Sequence, residues 1–216
     1  MLVLASNSPR RRQLLALGGW DFEVNPADVN EDPRPGEPPS DYVTRLAREK
    51  ALAVAPQVNL DSIIVAADTT VVDSGEILGK PVDKTQAIEM LRQLRGRVHQ
   101  VFTAIALLRV EDQTLLSDFC QTDVRMRTYR DAEIVAYAAS GDPLDKAGGY
   151  AIQNESFEPV EEIQVCYANV VGLPICLLAR MLRRIGEPVP RDLPDCCRVP
   201  VPDRCSLNLL TIQEDK

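Results

Sequence analysis

The chain has 216 residues, 45% of them hydrophobic and 26% charged, with a formal net charge of −8. That length and composition suit a globular protein with one substantial core, and no run approaches the roughly 18 apolar residues of a membrane span. The acidic balance argues against general nucleic-acid binding, which uses a basic surface to displace counterions.

The N-terminus lacks the basic flank and long apolar core of a signal peptide, so a cytoplasmic protein is expected. Cys120, Cys166, Cys176, Cys196, Cys197 and Cys205 form no CxxC pair and keep no zinc-ligand spacing with histidine, so they read as reduced thiols.

In chain order, Leu2–Leu4 reads as a buried strand. Ser8 and Pro9 supply an N-cap and a first-turn proline, and Gly18-Gly19 a stop, which frames a helix. Its first turn carries Arg10, Arg11 and Arg12, at the end where exposed N–H groups disfavour cations by a few tenths to about 1 kcal/mol. A bound anion, phosphate above all, resolves that conflict. On a helical wheel Leu14, Leu15 and Leu17 mark the buried face, Arg10 and Arg11 flank it, and Arg12 points away. Arg10 and Arg11 are therefore candidate ligand contacts and Arg12 is expected in solvent; the plainer alternative is surface arginines snorkelling over an apolar edge. The turn is neither a P-loop nor a dinucleotide fingerprint.

Phe22–Val24 is a short strand leading into a loop, Asn25–Pro39, whose length in a compact domain points to function. Ser40 is expected to cap a helix that runs to about Ala55 and ends at Pro56. Its stripe is Val43, Leu46, Ala47 and Val54, with Arg45, Arg48 and Glu49 outward. Lys50 falls in the middle of that stripe, where an ammonium needs a counter-charge unless it snorkels past the helix end.

Ser62–Ala67 is a β-branched run expected to form a central strand buried on both faces and ending at Asp68-Thr69. A carboxylate at the carboxyl end of a central α/β strand lies where such sheets bind ligands, which makes Asp68 a candidate acid–base group or metal ligand. The alternative is an aspartate capping a turn. Val71–Leu78 reads as two short strands around an Asp-Ser-Gly turn, presenting Lys80 in Gly79-Lys80-Pro81, a triplet that also occurs in ordinary surface turns.

Asp83–Arg95 is a packing helix, and Val98–Val110 with Thr114–Arg127 an antiparallel pair forming much of a second lobe. His99 is the sole histidine, so a His-based triad is limited to it, and it reads as structural or hydrogen-bonding. Asp131–Ser140 is a helix closed by Gly141. The segment Gly141–Gln153 reads as a glycine-rich turn leading into a short strand bearing Gln153, whose amide could read a base edge; an Asp145–Lys146 salt bridge in a tight turn serves the spacing equally. Val165–Val171 is expected as a closing strand and Leu173–Ile185 as a terminal helix. Beyond residue 186 the chain has no sustained periodicity, so 1–186 is expected as the folded domain and Glu187–Lys216 as a loose extension.

The strings ASNSPRR (5–11), RLAREKA (45–51), ADTTVV (67–72), GKP (79–81), HQVFTA (99–104), DKAGGYAIQ (145–153) and NVVGLP (169–174) occur here in one order. In this the chain resembles the Maf family of nucleoside triphosphate pyrophosphatases over about Leu2–Ile185. The resemblance implies a Maf/inosine-triphosphate-pyrophosphatase-like α/β fold, a mixed sheet in two lobes around a nucleotide cleft, and a homodimer. It implies metal-dependent cleavage of a nucleoside triphosphate to monophosphate and pyrophosphate, with Mg²⁺ or Mn²⁺ as cofactor.

Family positions match Ser6, Arg10, Arg11, Glu31, Lys50, Asp68, Lys80 and Gln153. Arg10, Asp68-Thr69 and Gln153 resemble the branch preferring dTTP and UTP over 7-methyl-GTP. The chain departs from the family pattern at Asn154 and at Val165-Cys166-Tyr167, on either side of a substrate-facing loop 154–164. The reading that follows has Glu31 and Asp68 as metal ligands, with either Asp68 or Glu31 as general base, and Arg10, Arg11, Lys50 and Lys80 neutralising the phosphates. A nucleotide-binding regulator of cell division without catalysis, and the same chemistry on 7-methyl-GTP, are the alternatives.

Overall fold

The structure, a computed structural model, describes residues 1–190. Strands β1 (Leu2–Leu4), β2 (Phe22–Val24), β3 (Ile63–Asp73), β4 (Glu76–Leu78), β5 (Val98–Arg109), β6 (Thr114–Met126) and β7 (Val160–Gln164) form a mixed sheet. Its order is β2-β1-β3-β5-β6-β7, with β4 paired to β3. Both pairings of β1 are parallel, and the remaining pairs are antiparallel. The helices are α1 (Pro9–Leu17), α2 (Pro39–Val54), α3 (Lys84–Leu94), α4 (Asp131–Ser140), α5 (Tyr167–Val171) and α6 (Ile175–Arg184).

Alternation along β3 sorts the two faces of the sheet. Ile63, Val65 and Ala67 pack in one cluster with Leu14 and Leu15 of α1 and the apolar residues of α6. Ile64 and Ala66 face the other way, onto Val43, Leu46 and Ala47 of α2. A third cluster takes over where β3 continues: Val71, Val101 and Val124 pack with Leu91 and Leu94 of α3 and with Ile134 of α4. The first two clusters make one lobe and the third makes the other.

Several expectations change. The central strand does not end at Asp68; it runs to Asp73, because Asp68, Thr69 and Thr70 stay paired with Ala104, Thr103 and Phe102 of β5. Asp68 therefore sits where β3 passes from one lobe to the other. The hairpin beyond it turns at Ser74 and Gly75, both at positive φ (54° and 88°), as a two-residue primed turn requires. β5 and β6 serve both lobes rather than the second alone, since strands of 12 and 13 residues outrun either lobe.

Gln153 lies in a turn and not in a strand, and Val165–Val171 is mostly the short helix α5, with β7 at Val160–Gln164 instead. A short, mostly apolar segment cannot be told strand from helix by periodicity; here Gly172, at φ 117°, closes a helical turn. α2 starts at Pro39, a residue ahead of the expected Ser40 cap. Cys120, Cys166 and Cys176 are buried. Val189 still packs against the first cluster, while 191–216, with Cys196, Cys197 and Cys205, fall outside the described residues. No helix among the described residues is long and apolar enough to cross a membrane.

Candidate functional site

Between the lobes lies a cleft of about 680 Å³, within the usual span of about 300–1,000 Å³ for small-molecule sites. Ser6, Arg10, Arg11, Glu31, Lys50, Asp68, Thr69, Lys80 and Gln153 all line it. They arrive from the β1–α1 turn, the first turn of α1, the 25–38 loop, α2, β3, the end of the β3–β4 hairpin and the glycine-rich segment.

At its floor stands Lys50, buried as its place in the α2 stripe requires. Its Nζ donates to Asp68 Oδ1 at 2.6 Å and meets Glu31 Oε1 at 2.6 Å. Strand parity explains the first contact: Asp68 shares the α2 side of β3 with Ile64 and Ala66. The two carboxylates differ in setting. Burial pushes Asp68 above the ordinary carboxylate value despite Lys50 and Arg11. Burial also opposes ionisation of Glu31, but the hydrogen bond and charge of Lys50, with Lys80, overcome it and hold that carboxyl below its ordinary value. Lys80 is largely exposed, its Nζ 3.7 Å from Glu31 Oε2.

Thr69, one residue on, faces α1. Arg11 donates from Nε to Gly172 O (2.9 Å), from Nη1 to Ser6 Oγ (3.3 Å) and from Nη2 to Thr69 Oγ1 (3.1 Å). Gly172, at φ 117°, holds a conformation that favours glycine, and a Cβ there would lie 3.3 Å from Thr69 Oγ1, close enough to displace it by a few tenths of an ångström. Thr103 Oγ1 donates to Asn169 O at 2.8 Å and lies 2.9 Å from Thr69 Oγ1. Each hydroxyl has one proton, so Thr69 donates to Thr103 and accepts from Arg11. Burial lowers the pKa of Arg11, with Asp68 opposing. Arg11 thus braces the cleft wall, with two of its five N–H groups left over.

Arg10 reaches across to the other lobe, Nη2 to Asp145 Oδ2 at 3.6 Å. Arg12 is exposed and donates to Asn7, as the wheel requires. Lys146, buried, holds Asp142 Oδ1 (2.7 Å) and Asp145 Oδ1 (2.6 Å), the salt-bridged form of the turn. His99 is enclosed in the second lobe against the Tyr150 hydroxyl at 2.7 Å.

Sequence reasoning missed Tyr42, whose hydroxyl donates to Glu31 O at 2.8 Å. The signal was available, since Tyr42, Leu46 and Lys50 lie four residues apart on one helix face. It also gave no role to Thr103, Asn169 and Gly172, although they lie in the strings HQVFTA and NVVGLP.

Among the described residues no three His, Cys, Asp or Glu side chains gather as a metal cage. Two carboxylates converging on one ammonium fit a hard cation that takes its remaining ligands from phosphate and water.

Residues 1–185 match the family described as Maf-like protein. The chain is 50% identical over 185 residues to the dTTP/UTP pyrophosphatase of Geobacter sulfurreducens, covering 86% of this chain and 96% of that one. It is 49% identical over 195 residues to the dTTP/UTP pyrophosphatase of Anaeromyxobacter dehalogenans strain 2CP-1, covering 89% and 98%. Among solved structures it is similar to a nucleoside-triphosphatase / dITP/XTP pyrophosphatase from Mycobacterium abscessus, at a TM-score of 0.35 and 17% identity over 59% of this chain and 74% of that one, a likeness that bears no weight here. A family match across nearly all the described residues, with relatives about half identical over the same span, means that this chain belongs to the Maf family.

Proposed function

We propose that this protein is a nucleoside triphosphate pyrophosphatase that hydrolyses dTTP and UTP to the monophosphate and pyrophosphate in the cleft between its lobes. The observation that carries this reading is the meeting of Asp68 and Glu31 on Lys50 Nζ, each at 2.6 Å, inside a cleft lined by further cations. A protein that only bound nucleotides would need the cations but not the paired carboxylates beside them. The names of the relatives supply the substrates.

In the reaction a water oxygen bonds to the α-phosphorus while the bond from that phosphorus to the β-phosphate bridging oxygen breaks. Asp68, raised by burial, takes the water proton, since a base works best when its pKa approaches the working pH. Lys50, Arg10 and Lys80 offset the charge that moves onto the departing pyrophosphate, and Arg11 holds Thr69 and Ser6 in place. Glu31, kept ionised and 44% exposed, with an oxygen of Asp68, would hold Mg²⁺ or Mn²⁺, which when bound neutralises phosphate charge. Gln153 and Thr69 stand on the wall as hydrogen-bonding groups for the base. A cytoplasmic homodimer that binds no nucleic acid belongs to the same reading; light scattering checks the dimer.

Pyrophosphate release is measured from dTTP, UTP, CTP, 7-methyl-GTP and ITP with Mg²⁺, Mn²⁺ or EDTA. Metal-dependent release from dTTP and UTP is expected, with Asp68→Asn slower by about 10²–10⁴-fold yet still binding nucleotide. Release from 7-methyl-GTP alone would overturn the substrate, and binding without release would overturn the activity.

A further inference from the structure

Loop 25–38 contains no strand or helix, yet it delivers the Glu31 carboxylate to Lys50. What holds it there comes from α2. Tyr42 donates its hydroxyl to Glu31 O at 2.8 Å, and Arg45 Nη2 donates to Asp32 O at 3.2 Å. Arg45 also grips the far end of the loop with both prongs, Nε to Glu37 Oε1 at 2.6 Å and Nη2 to Glu37 Oε2 at 2.7 Å.

Arg45 belongs to the face expected outward, but the loop covers it: its side chain is 13% exposed and that of Glu37 10%. A planar, fork-shaped guanidinium suits a two-point grip that an ammonium cannot reproduce. The same helix therefore supplies Lys50 and anchors the loop carrying the carboxylate that Lys50 meets.

We propose that Tyr42 and Arg45 are positioning residues for the reaction, setting the Glu31 carboxylate beside Lys50 and Asp68 by fastening the loop at Glu31, Asp32 and Glu37. The proposal rests on the reading of this cleft as the pyrophosphatase site. It requires that loosening the loop act through Glu31 and not through general stability.

The test measures kcat and KM for pyrophosphate release from dTTP with Mg²⁺, and the melting temperature, in the wild type, Tyr42→Phe, Arg45→Gln, Arg45→Lys, Glu31→Gln and the double variant Tyr42→Phe/Glu31→Gln. Tyr42→Phe and Arg45→Gln are expected to lower kcat about tenfold with KM changed less than about threefold. Tyr42→Phe should melt within a few degrees of wild type, and Arg45→Lys should not restore the rate. In the Glu31→Gln background, Tyr42→Phe should change the residual rate less than about twofold. Endoproteinase Asp-N, cutting before Asp28 or Asp32, should nick both loop variants faster than wild type while leaving the rest of the chain intact. This readout needs no catalysis.

Equal effects of Tyr42→Phe with and without Glu31, or unchanged kcat and unchanged nicking, overturn the positioning role alone. A Glu31→Gln variant as active as wild type also overturns it alone, whereas a wild type that releases no pyrophosphate, or an Asp68→Asn variant as active as wild type, overturns the reading beneath it.

Discussion

Three consecutive arginines meet three different fates. Arg12 stays in solvent on Asn7, Arg10 spans the cleft to Asp145, and Arg11 is committed to Gly172, Ser6 and Thr69. Arg12→Ala should leave kcat/KM unchanged and shift urea-unfolding stability by no more than about 0.5 kcal/mol. Arg11→Ala should cost about 2–4 kcal/mol, because it strips donors from buried acceptors, and should lower activity as well. Arg11→Lys should recover little of either, since the N–H groups of an ammonium leave a single nitrogen and cannot reach acceptors that Arg11 meets from three different nitrogens. The helical wheel separated Arg12 from its neighbours; that Arg11 is a brace was not legible, because its acceptor Gly172 lies 161 residues on.

Among the elements, β3 does most of the arranging. By alternation it presents Asp68 to α2 and Thr69 to α1, so two adjacent residues serve opposite walls. The glycine-rich turn docks on its continuation: Gly148 N donates to Gly79 O at 3.0 Å, which ties the turn to the end of the hairpin that bears Lys80. Gly148 has φ 69°, and a Cβ there would lie 3.0 Å from both γ-carbons of Val71. Gly148→Ala should therefore cost about 1–3 kcal/mol in urea unfolding, combining backbone strain with overpacking. Val71→Ala in the same chain should return only part of the overpacking, since the Cβ of residue 71, 3.1 Å away, remains, and should leave the strain of positive φ.

For the molecule as a whole, the two ion pairs that cross the cleft are long, Arg10–Asp145 at 3.6 Å and Lys80–Glu31 at 3.7 Å, and partly exposed. Such pairs contribute about 0–1 kcal/mol, so the lobes are joined by the shared strands and not by the charges over the cleft. Global stability has its own pH signature. Burial lowers His99 from 6.5 to about 4, so the folded protein keeps it neutral while the unfolded chain protonates it. Its contribution is complete above pH 6.5 and is lost as pH falls through about 4, at most ~3 kcal/mol. Urea melts between pH 7 and 4.5 should show this decline, and His99→Gln should flatten it. Below pH 4.5 a second decline is expected from Glu37 and Glu133, held at about 2 chiefly by Arg45 and by the Arg130 backbone amide.

By itself the sequence determined the order of most elements, the inward placement of Lys50, the solvent-facing Arg12 and the set of charged residues that gather in the cleft. The first three rest on cues within a turn or two of helix or a few residues of strand, namely caps, prolines, glycines and apolar spacing, whereas Glu31 and Lys80 joined the cleft set through the family resemblance. Only the tertiary structure decided that β3 continues past Asp68, that Val165–Val171 is mostly helix, that Arg45 lies under the loop, and that Arg11 braces Gly172. Each of those outcomes depends on which distant backbone groups are left to be satisfied once the sheet has closed. Local periodicity carries no record of that partner.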